Sequence, residues 1–289
     1  MKGAYIKFGL LTALLLAGIM AFVSVSRALS PEAAKLYKEG LALYKQGKTS
    51  EALELFRKSV AVDSSDARVF YAIGVAYKSL GKVDKAIESY KRAVLLDINY
   101  SKAHYALGLL YQLKKDYKHA LESFKLAVAS DSTNAKAYNA MGGIYLNRKL
   151  YDKAVKSFKR ATEIEPKYAK AFENLGIALS KKGDYEGAVK SLKRASLLDP
   201  KNYKVHYLLA DIYNKLGKYE EAATSAKASL RYNRSYAPAH VALGEAYEKM
   251  GNIKEAIAEY RKASNDMRWR KYAQYKIEIL TNKDKYTIP

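Results

Sequence analysis

The sequence predicts an all-α protein built from stacked pairs of short helices. Three observations predict it: a repeat unit of constant length, small residues at two fixed positions of that unit, and large apolar residues at helical spacing around them. Seven consecutive segments of 34 residues follow one another from position 33 without insertion or deletion. A unit of this size cannot bury its own apolar face, so neighbouring units must stack to form a continuous core.

The period sets the predicted domain boundaries. Residues 1–30 are expected to be a membrane anchor or signal peptide, 31–270 one elongated repeat domain, and 271–289 a C-terminal capping helix with a tail. An apolar stripe that begins at Trp269, at the end of the seventh repeat, and continues into this helix is expected to close the stack. The predicted repeats are 33–66, 67–100, 101–134, 135–168, 169–202, 203–236 and 237–270.

The small residues predict where the two helices of each unit meet. The eighth position is glycine in six repeats and alanine in the other, Ala210, while the twentieth is alanine in all seven. Matched small side chains let two helix backbones approach closely, and a larger group there would overpack the contact.

Large apolar residues surround these positions. Tyrosine recurs at the eleventh position and phenylalanine or tyrosine at the twenty-fourth, with leucine or isoleucine common at the seventh. These spacings fit a period near 3.6 and therefore indicate helices, not strands. Glycines such as Gly47 and Gly183 follow the first helix of a unit, and aspartates such as Asp97 follow the second, as helix-stop signals.

The combined pattern resembles the tetratricopeptide repeat. It has an aromatic residue or histidine at position four, Leu-Gly at seven and eight, tyrosine at eleven, alanine at twenty and an aromatic residue at twenty-four. The resemblance implies a right-handed α-solenoid, in which the first helices line a concave face that grips a peptide or helix of a partner protein. It implies no enzymatic activity and no cofactor.

In the resembled family, positions two, five, six, nine, twelve and thirteen of the first helix line the concave face. Position two is basic in five consecutive repeats, and position five is often tyrosine, which suits an acidic, aromatic-containing partner. An ordinary solvated surface is the competing interpretation, because exposed charges contribute little. The predicted partner-binding residues are Arg68, Tyr71, Lys102, Tyr105, Lys136, Asn139, Lys170, Asn174, Lys204 and Tyr207. Acidic residues Asp211, Glu245 and Glu248 are expected on the same face further along the chain.

The formal charge of +22 favours acidic partners. Because cysteine is absent, disulfides, thiol catalysis and cysteine-rich zinc sites are excluded. Three of the four histidines occupy position four, where other repeats carry aromatic rings, so we expect packing residues and no metal site. No catalytic or phosphate-binding motif occurs. The carboxylate clamp of chaperone-binding relatives is also absent, because no asparagine stands at position nine.

The N-terminal segment predicts a location. Eighteen residues from Phe8 to Val25 carry no charge, and as a helix they would extend ~27 Å, close to the thickness of a bilayer core. A single-pass anchor at 8–25 is therefore expected, with the repeats periplasmic or otherwise extracytoplasmic. A signal peptide removed near Ala28, giving a secreted protein, is the alternative.

These observations predict a membrane-tethered or exported scaffold that binds protein partners through its concave groove. Two alternatives remain open: a self-assembling structural protein that forms a filament or coat, and a receptor of the mitochondrial-import type with repeats in the cytosol. Nucleic-acid binding, suggested by the charge and the 26 tyrosines, is disfavoured by the apolar N-terminal segment.

Overall fold

The computed structural model describes residues 29–282, and within this range the chain forms α-helices and no strands. The first unit, residues 29–132, contains three helical hairpins. Its helices are α1 Pro31–Lys45, α2 Thr49–Val62, α3 Ala67–Ser79, α4 Val83–Leu96, α5 Ser101–Leu113 and α6 Tyr117–Ser130. Each odd-numbered helix pairs with the helix after it, and successive hairpins pack side by side.

The second unit, residues 133–282, contains four such hairpins and a final single helix. Its helices are α7 Ala135–Asn147, α8 Tyr151–Ile164, α9 Ala169–Lys182, α10 Tyr185–Leu198, α11 Tyr203–Lys215, α12 Tyr219–Tyr232, α13 Ala237–Lys249, α14 Ile253–Ala263 and α15 Met267–Thr281. Each unit is thus an α-solenoid-like stack, as the repeat pattern predicts.

The core of each hairpin is the contact between the eighth and twenty-fourth positions of the repeat. A Cβ atom added to Gly142 in α7 would lie 2.6 Å from ring carbons of Phe158 in α8, and Phe158 is fully buried. In the one repeat with Ala210 at the eighth position, the twenty-fourth is the small Ala226. Ala154, which represents the twentieth position, has no exposed surface. In the six hairpins with glycine at the eighth position, the first helix therefore rests directly on a large side chain of its partner helix.

All seven hairpin turns in residues 29–282 use a residue in the left-handed conformation after the first helix, and in five of them it is glycine. Gly183, for example, ends α9 with φ of 93°. In two hairpins a lysine takes the same place: Lys115 has φ of 61° and Lys149 has φ of 58°. Because side chains with a Cβ atom rarely adopt this conformation, these two turns are strained relative to their glycine counterparts.

The final helix, α15, continues the repeat register. Ala273, Ile277 and Leu280 occupy the third, seventh and tenth positions of what would be an eighth repeat, and Ala273 and Leu280 are buried. They pack with Tyr260 of α14, and Trp269 packs at the edge of the same cluster. The helix predicted to cap the stack is therefore half of a further hairpin.

The membrane location predicted from the sequence is contradicted. No helix within residues 29–282 has both the length and the apolar content needed to cross a bilayer. The predicted span at 8–25 and the alternative signal peptide fall outside the described residues, so the N-terminal hydrophobic helix is not supported as part of the fold.

Candidate functional site

In the first unit, the predicted cation of α3 is already paired. The Arg68 guanidinium donates through Nε to Asp66 Oδ2 at 2.9 Å, and the Asp66 carboxylate also accepts from the backbone N–H of Arg68 at 2.7 Å. Asp66 is the N-cap of α3 and is buried. Arg68 therefore neutralises a structural carboxylate and offers only part of its guanidinium to a partner.

Beside this pair lies a cluster of phenol rings. Tyr71 of α3 packs against Tyr90 of α4 with ring centroids 5.4 Å apart, and against Tyr100 at 5.2 Å. Burial raises the pKa of both Tyr71 and Tyr100. Tyr37 of α1 interacts electrostatically with Arg68 and Tyr100. The predicted ligand-binding tyrosine is thus half-buried and belongs to a packed aromatic surface.

The remaining predicted residues of the first unit lie one repeat further on. Tyr105 of α5 packs against Phe124 of α6 with ring centroids 5.7 Å apart, as Tyr71 does against Tyr90. Lys102 is exposed and makes no ion pair within residues 29–282. Of the two predicted cations of the first unit, Arg68 is therefore paired and Lys102 is not, within residues 29–132.

In the second unit, two predicted residues contact each other. Asn174 of α9 donates through Nδ2 to Asn139 Oδ1 of α7 at 2.9 Å, which joins the first helices of adjacent hairpins. Both side chains are partly exposed, and neither makes another hydrogen bond within the described residues. The amide nitrogen of Asn139 and the amide oxygen of Asn174 are therefore available to the backbone of a bound peptide.

Two lysines near this amide pair differ in whether they have an ion-pair partner. Lys136, on α7, is exposed and has no ion-pair partner among residues 29–282. Lys170, on α9, instead donates to Glu173 Oε1 at 2.6 Å, and the buried Glu173 also accepts from Asn202 at 3.3 Å. Lys170, like Arg68, therefore compensates a carboxylate only two or three residues away in the chain.

The tyrosine of α11 repeats the aromatic arrangement of the first unit. Tyr207 meets Tyr236 edge-on with ring centroids 5.4 Å apart, and Tyr236 meets Tyr203 at 4.8 Å. Burial raises the pKa of Tyr207 to about 12. Lys204 is exposed, with its ammonium 5.9 Å from the centre of the Tyr203 ring. The cation and the rings therefore form one mixed surface.

Of the acidic residues expected further along this face, Glu245 and Glu248 are covered by α15, whereas Asp211 accepts from Lys215 at 2.6 Å within α11. Tyr272 donates its hydroxyl proton to Glu245 Oε1 at 2.6 Å, and Lys276 donates to Glu248 Oε1 at 2.9 Å. Burial raises the pKa of Glu245 above its usual value, and the hydrogen bond from Tyr272 offsets only part of that rise. Glu245 and Glu248 therefore hold the final helix in place and leave little negative charge for a partner.

Sequence reasoning missed the tyrosines at position 34. Tyr100 and Tyr236 each pack against the tyrosine at position five of a first helix, and Tyr168 has the same register. Their recurrence at a fixed position was the signal that could have found them.

The histidines at position four share one structural task. Nε2 of His104, His206 and His240 bonds the carbonyl oxygen six residues earlier, at 2.8, 2.8 and 2.9 Å, which ties the first helix to the preceding linker. Within residues 29–282 no group of three or more potential ligands is placed to hold a metal ion.

Comparison with known families identifies the repeat. The family model described as the Cilia and flagella-associated protein 70 C-terminal domain, which consists of tetratricopeptide repeats, matches residues 97–271, more than half of the chain. The chain belongs to this tetratricopeptide-repeat family. A general tetratricopeptide-repeat model also matches residues 37–101. Among curated proteins none matches.

Solved structures support the same assignment. YrrB, described as a tetratricopeptide-repeat protein with an unusual peptide-binding site, is 21% identical with a TM-score of 0.58, over 64% of this chain and 95% of its own. MamA is 27% identical with a TM-score of 0.53, over 61% of this chain and 96% of its own. The PilF protein of Pseudomonas aeruginosa is 20% identical with a TM-score of 0.60, over 74% of this chain and 98% of its own. This fold is typically a non-enzymatic scaffold for protein interactions.

Proposed function

We propose that this tetratricopeptide-repeat scaffold binds an acidic protein segment along the first helices of its second unit, and so recruits that partner into a complex. The observation that carries the proposal is the pairing of Asn139 with Asn174 at 2.9 Å, which leaves one amide donor and one amide acceptor unpaired on adjacent first helices. An extended peptide presents alternating carbonyl and N–H groups, so two such amides can fix its backbone.

The surrounding charge selects the partner. Lys136 and Lys204 are exposed and unpaired within residues 29–282, on the helices either side of Lys170 and its compensating Glu173. Cations beside tyrosine rings favour carboxylates and aromatic side chains together. These pairings narrow the partner-binding residues predicted from the sequence, because Arg68 and Lys170 are in internal ion pairs. In the second unit, the residues proposed to bind the partner are Lys136, Asn139, Asn174, Lys204 and Tyr207.

The test uses a displayed library of acidic, aromatic-containing peptides, with affinities measured by fluorescence anisotropy on the purified chain. The variant Lys136→Glu/Lys204→Glu is expected to weaken binding by about tenfold or more, because both reversals repel a carboxylate partner. The variant Lys254→Glu/Lys271→Glu changes the net charge equally at exposed sites elsewhere in the unit and is expected to bind as the wild type does.

Asn139→Ala/Asn174→Ala isolates the amide contribution and is expected to lose affinity without any change in charge. The proposal would be refuted if the wild type, Lys136→Glu/Lys204→Glu and Asn139→Ala/Asn174→Ala bound every selected peptide with equal affinity.

A further inference from the structure

A second surface lies on the α7–α8 hairpin, on residues other than those of the proposed function. It is a groove of about 540 Å³ between the two helices, within the roughly 300–1,000 Å³ typical of ligand pockets. Its floor consists of Tyr138, Met141 and Tyr145 from α7. Its wall is cationic and comes from α8: Lys153, Lys156, Lys159 and Arg160.

The same groove recurs in the first unit, two repeats earlier. The α3–α4 hairpin has a cavity of about 750 Å³ whose floor is Phe70, Ile73 and Tyr77, at the same repeat positions as Tyr138, Met141 and Tyr145. Lys91 and Arg92 in its wall hold the positions of Lys159 and Arg160, but Glu88 stands where Lys156 stands, and Arg57 of α2 lines it as well. The two grooves therefore share the apolar floor and differ in the charge of the wall. Leu95, which also lines this cavity, is 71% exposed.

The last hairpin has a groove at the same register but with different chemistry. Glu259 of α14 stands where Ser157 stands in α8, and it accepts from His240 Nδ1 at 2.6 Å and from Lys262 at 2.7 Å. Its carboxylate is therefore satisfied internally and occupies the middle of the groove. This hairpin is unsuited to an anion and serves as the natural contrast to α7–α8.

The cations of the α7–α8 groove are poorly compensated. Lys153, Lys156 and Lys159 make no ion pair within residues 29–282. The one carboxylate in the wall, Glu163, meets Arg160 at 3.4 Å, with both side chains about half exposed, so this contact is weak. The groove thus combines an apolar floor with an unsatisfied positive rim.

We propose that the α7–α8 groove binds an acidic peptide segment that inserts one large apolar side chain. The inserted side chain would contact Met141 and the two tyrosines, and flanking carboxylates would meet Lys156 and Arg160. Charge complementarity and the enclosed apolar floor are the arguments for this occupant. The site is distinct from that of the proposed function. That site, the first-helix surface, consists of residues on α7, α9 and α11, and α8 contributes nothing to it.

Nucleic acid fits the same groove less well. Single strands bind aromatic residues by stacking bases on open ring faces. Tyr138 and Tyr145 are only partly exposed, and the Lys153 ammonium lies over the Tyr145 ring at 6.0 Å from its centre. A peptide side chain entering between the helices needs no open ring face.

The probe is a short fluorescein-labelled polyglutamate peptide with a central benzoylphenylalanine, which serves as both the apolar side chain and a photo-crosslinker. Irradiation with the full-length chain, followed by proteolysis and mass spectrometry, is expected to place the crosslink within 138–160. The variant Lys156→Glu/Arg160→Glu should reduce the crosslink in α7–α8 by about tenfold. The variants Lys136→Glu/Lys204→Glu and Lys254→Glu/Lys271→Glu should leave it unchanged.

Several results would overturn this proposal. They are crosslinks confined to residues outside the α7–α8 groove, an unchanged α7–α8 yield in Lys156→Glu/Arg160→Glu protein with an unaltered circular dichroism spectrum, and displacement of the peptide by oligothymidylate but not by unlabelled peptide. Loss of crosslinking in the Lys136→Glu/Lys204→Glu variant would assign the peptide to the first-helix surface and also refute a separate outer site. The two surfaces are thus tested independently.

Discussion

Two adjacent glycines in α7 provide a sharp test of the hairpin core. A Cβ atom on Gly142 would lie 2.6 Å from ring carbons of Phe158, whereas a Cβ atom on Gly143 would meet nothing within 4 Å. The substitutions Gly142→Ala and Gly143→Ala therefore add the same methyl group to the same helix, and only one of them meets a neighbour.

The expected magnitudes follow from that difference. Alanine is favoured over glycine in a helix interior by about 1 kcal/mol, so Gly143→Ala should raise the free energy of unfolding by about that amount. Gly142→Ala receives the same gain but overpacks against a fully buried ring, at a cost of about 1–3 kcal/mol. Gly142→Ala should thus be less stable than Gly143→Ala by about 1–3 kcal/mol.

Urea denaturation followed by far-ultraviolet circular dichroism measures both variants. A double-mutant cycle adds a sign test, because in a Phe158→Ala background the clash is absent and Gly142→Ala should become stabilising by about 1 kcal/mol. The chain already uses that combination at Ala210 and Ala226. Equal stabilisation by Gly142→Ala and Gly143→Ala in the wild-type background would refute this account of the core.

Three further predictions concern other parts of the chain. Lys149→Gly should stabilise the chain by about 0.5–1 kcal/mol, because φ of 58° strains a residue with a Cβ atom, and the urea midpoint should rise. Burial would raise the pKa of Glu259, but hydrogen bonds from His240 and Lys262 outweigh it and lower the pKa. Glu259 thus stabilises the fold above its unfolded pKa of 4.5, so Glu259→Gln should lower the thermal midpoint at neutral pH, with the difference vanishing as the pH falls well below that value. Tyr272→Phe removes the hydrogen bond that lowers the pKa of Glu245, so nuclear magnetic resonance titration should find that pKa raised further.

The hairpins could be predicted because the same pattern of small and large residues recurs from repeat to repeat. Glycine at the eighth position, alanine at the twentieth and a ring at the twenty-fourth are local choices that agree with one fold seven times over. Even the exceptions are interpretable: Ala210 comes with Ala226, and the turns that lack glycine place Lys115 and Lys149 in the left-handed conformation.

The candidate site was predicted less completely, because its chemistry depends on which side chains pair. Position two was interpreted as a ladder of cations, yet Arg68 pairs with the N-cap Asp66 and Lys170 with the buried Glu173. Such pairs lie two or three residues apart and depend on rotamers that a repeat pattern does not specify. Glu245 was expected to face a partner, but the half-repeat that follows the seven full ones covers it.

The helix α15 makes the array extensible. Its Ala273, Ile277 and Leu280 already hold the third, seventh and tenth places of an eighth unit, so it is a docking template for a grafted second helix. The eighth place is Glu278 and not glycine, and a side chain of that size would block a phenylalanine from the graft. A designer who wishes to lengthen this scaffold, and with it the surface offered to partners, would therefore begin with Glu278→Gly.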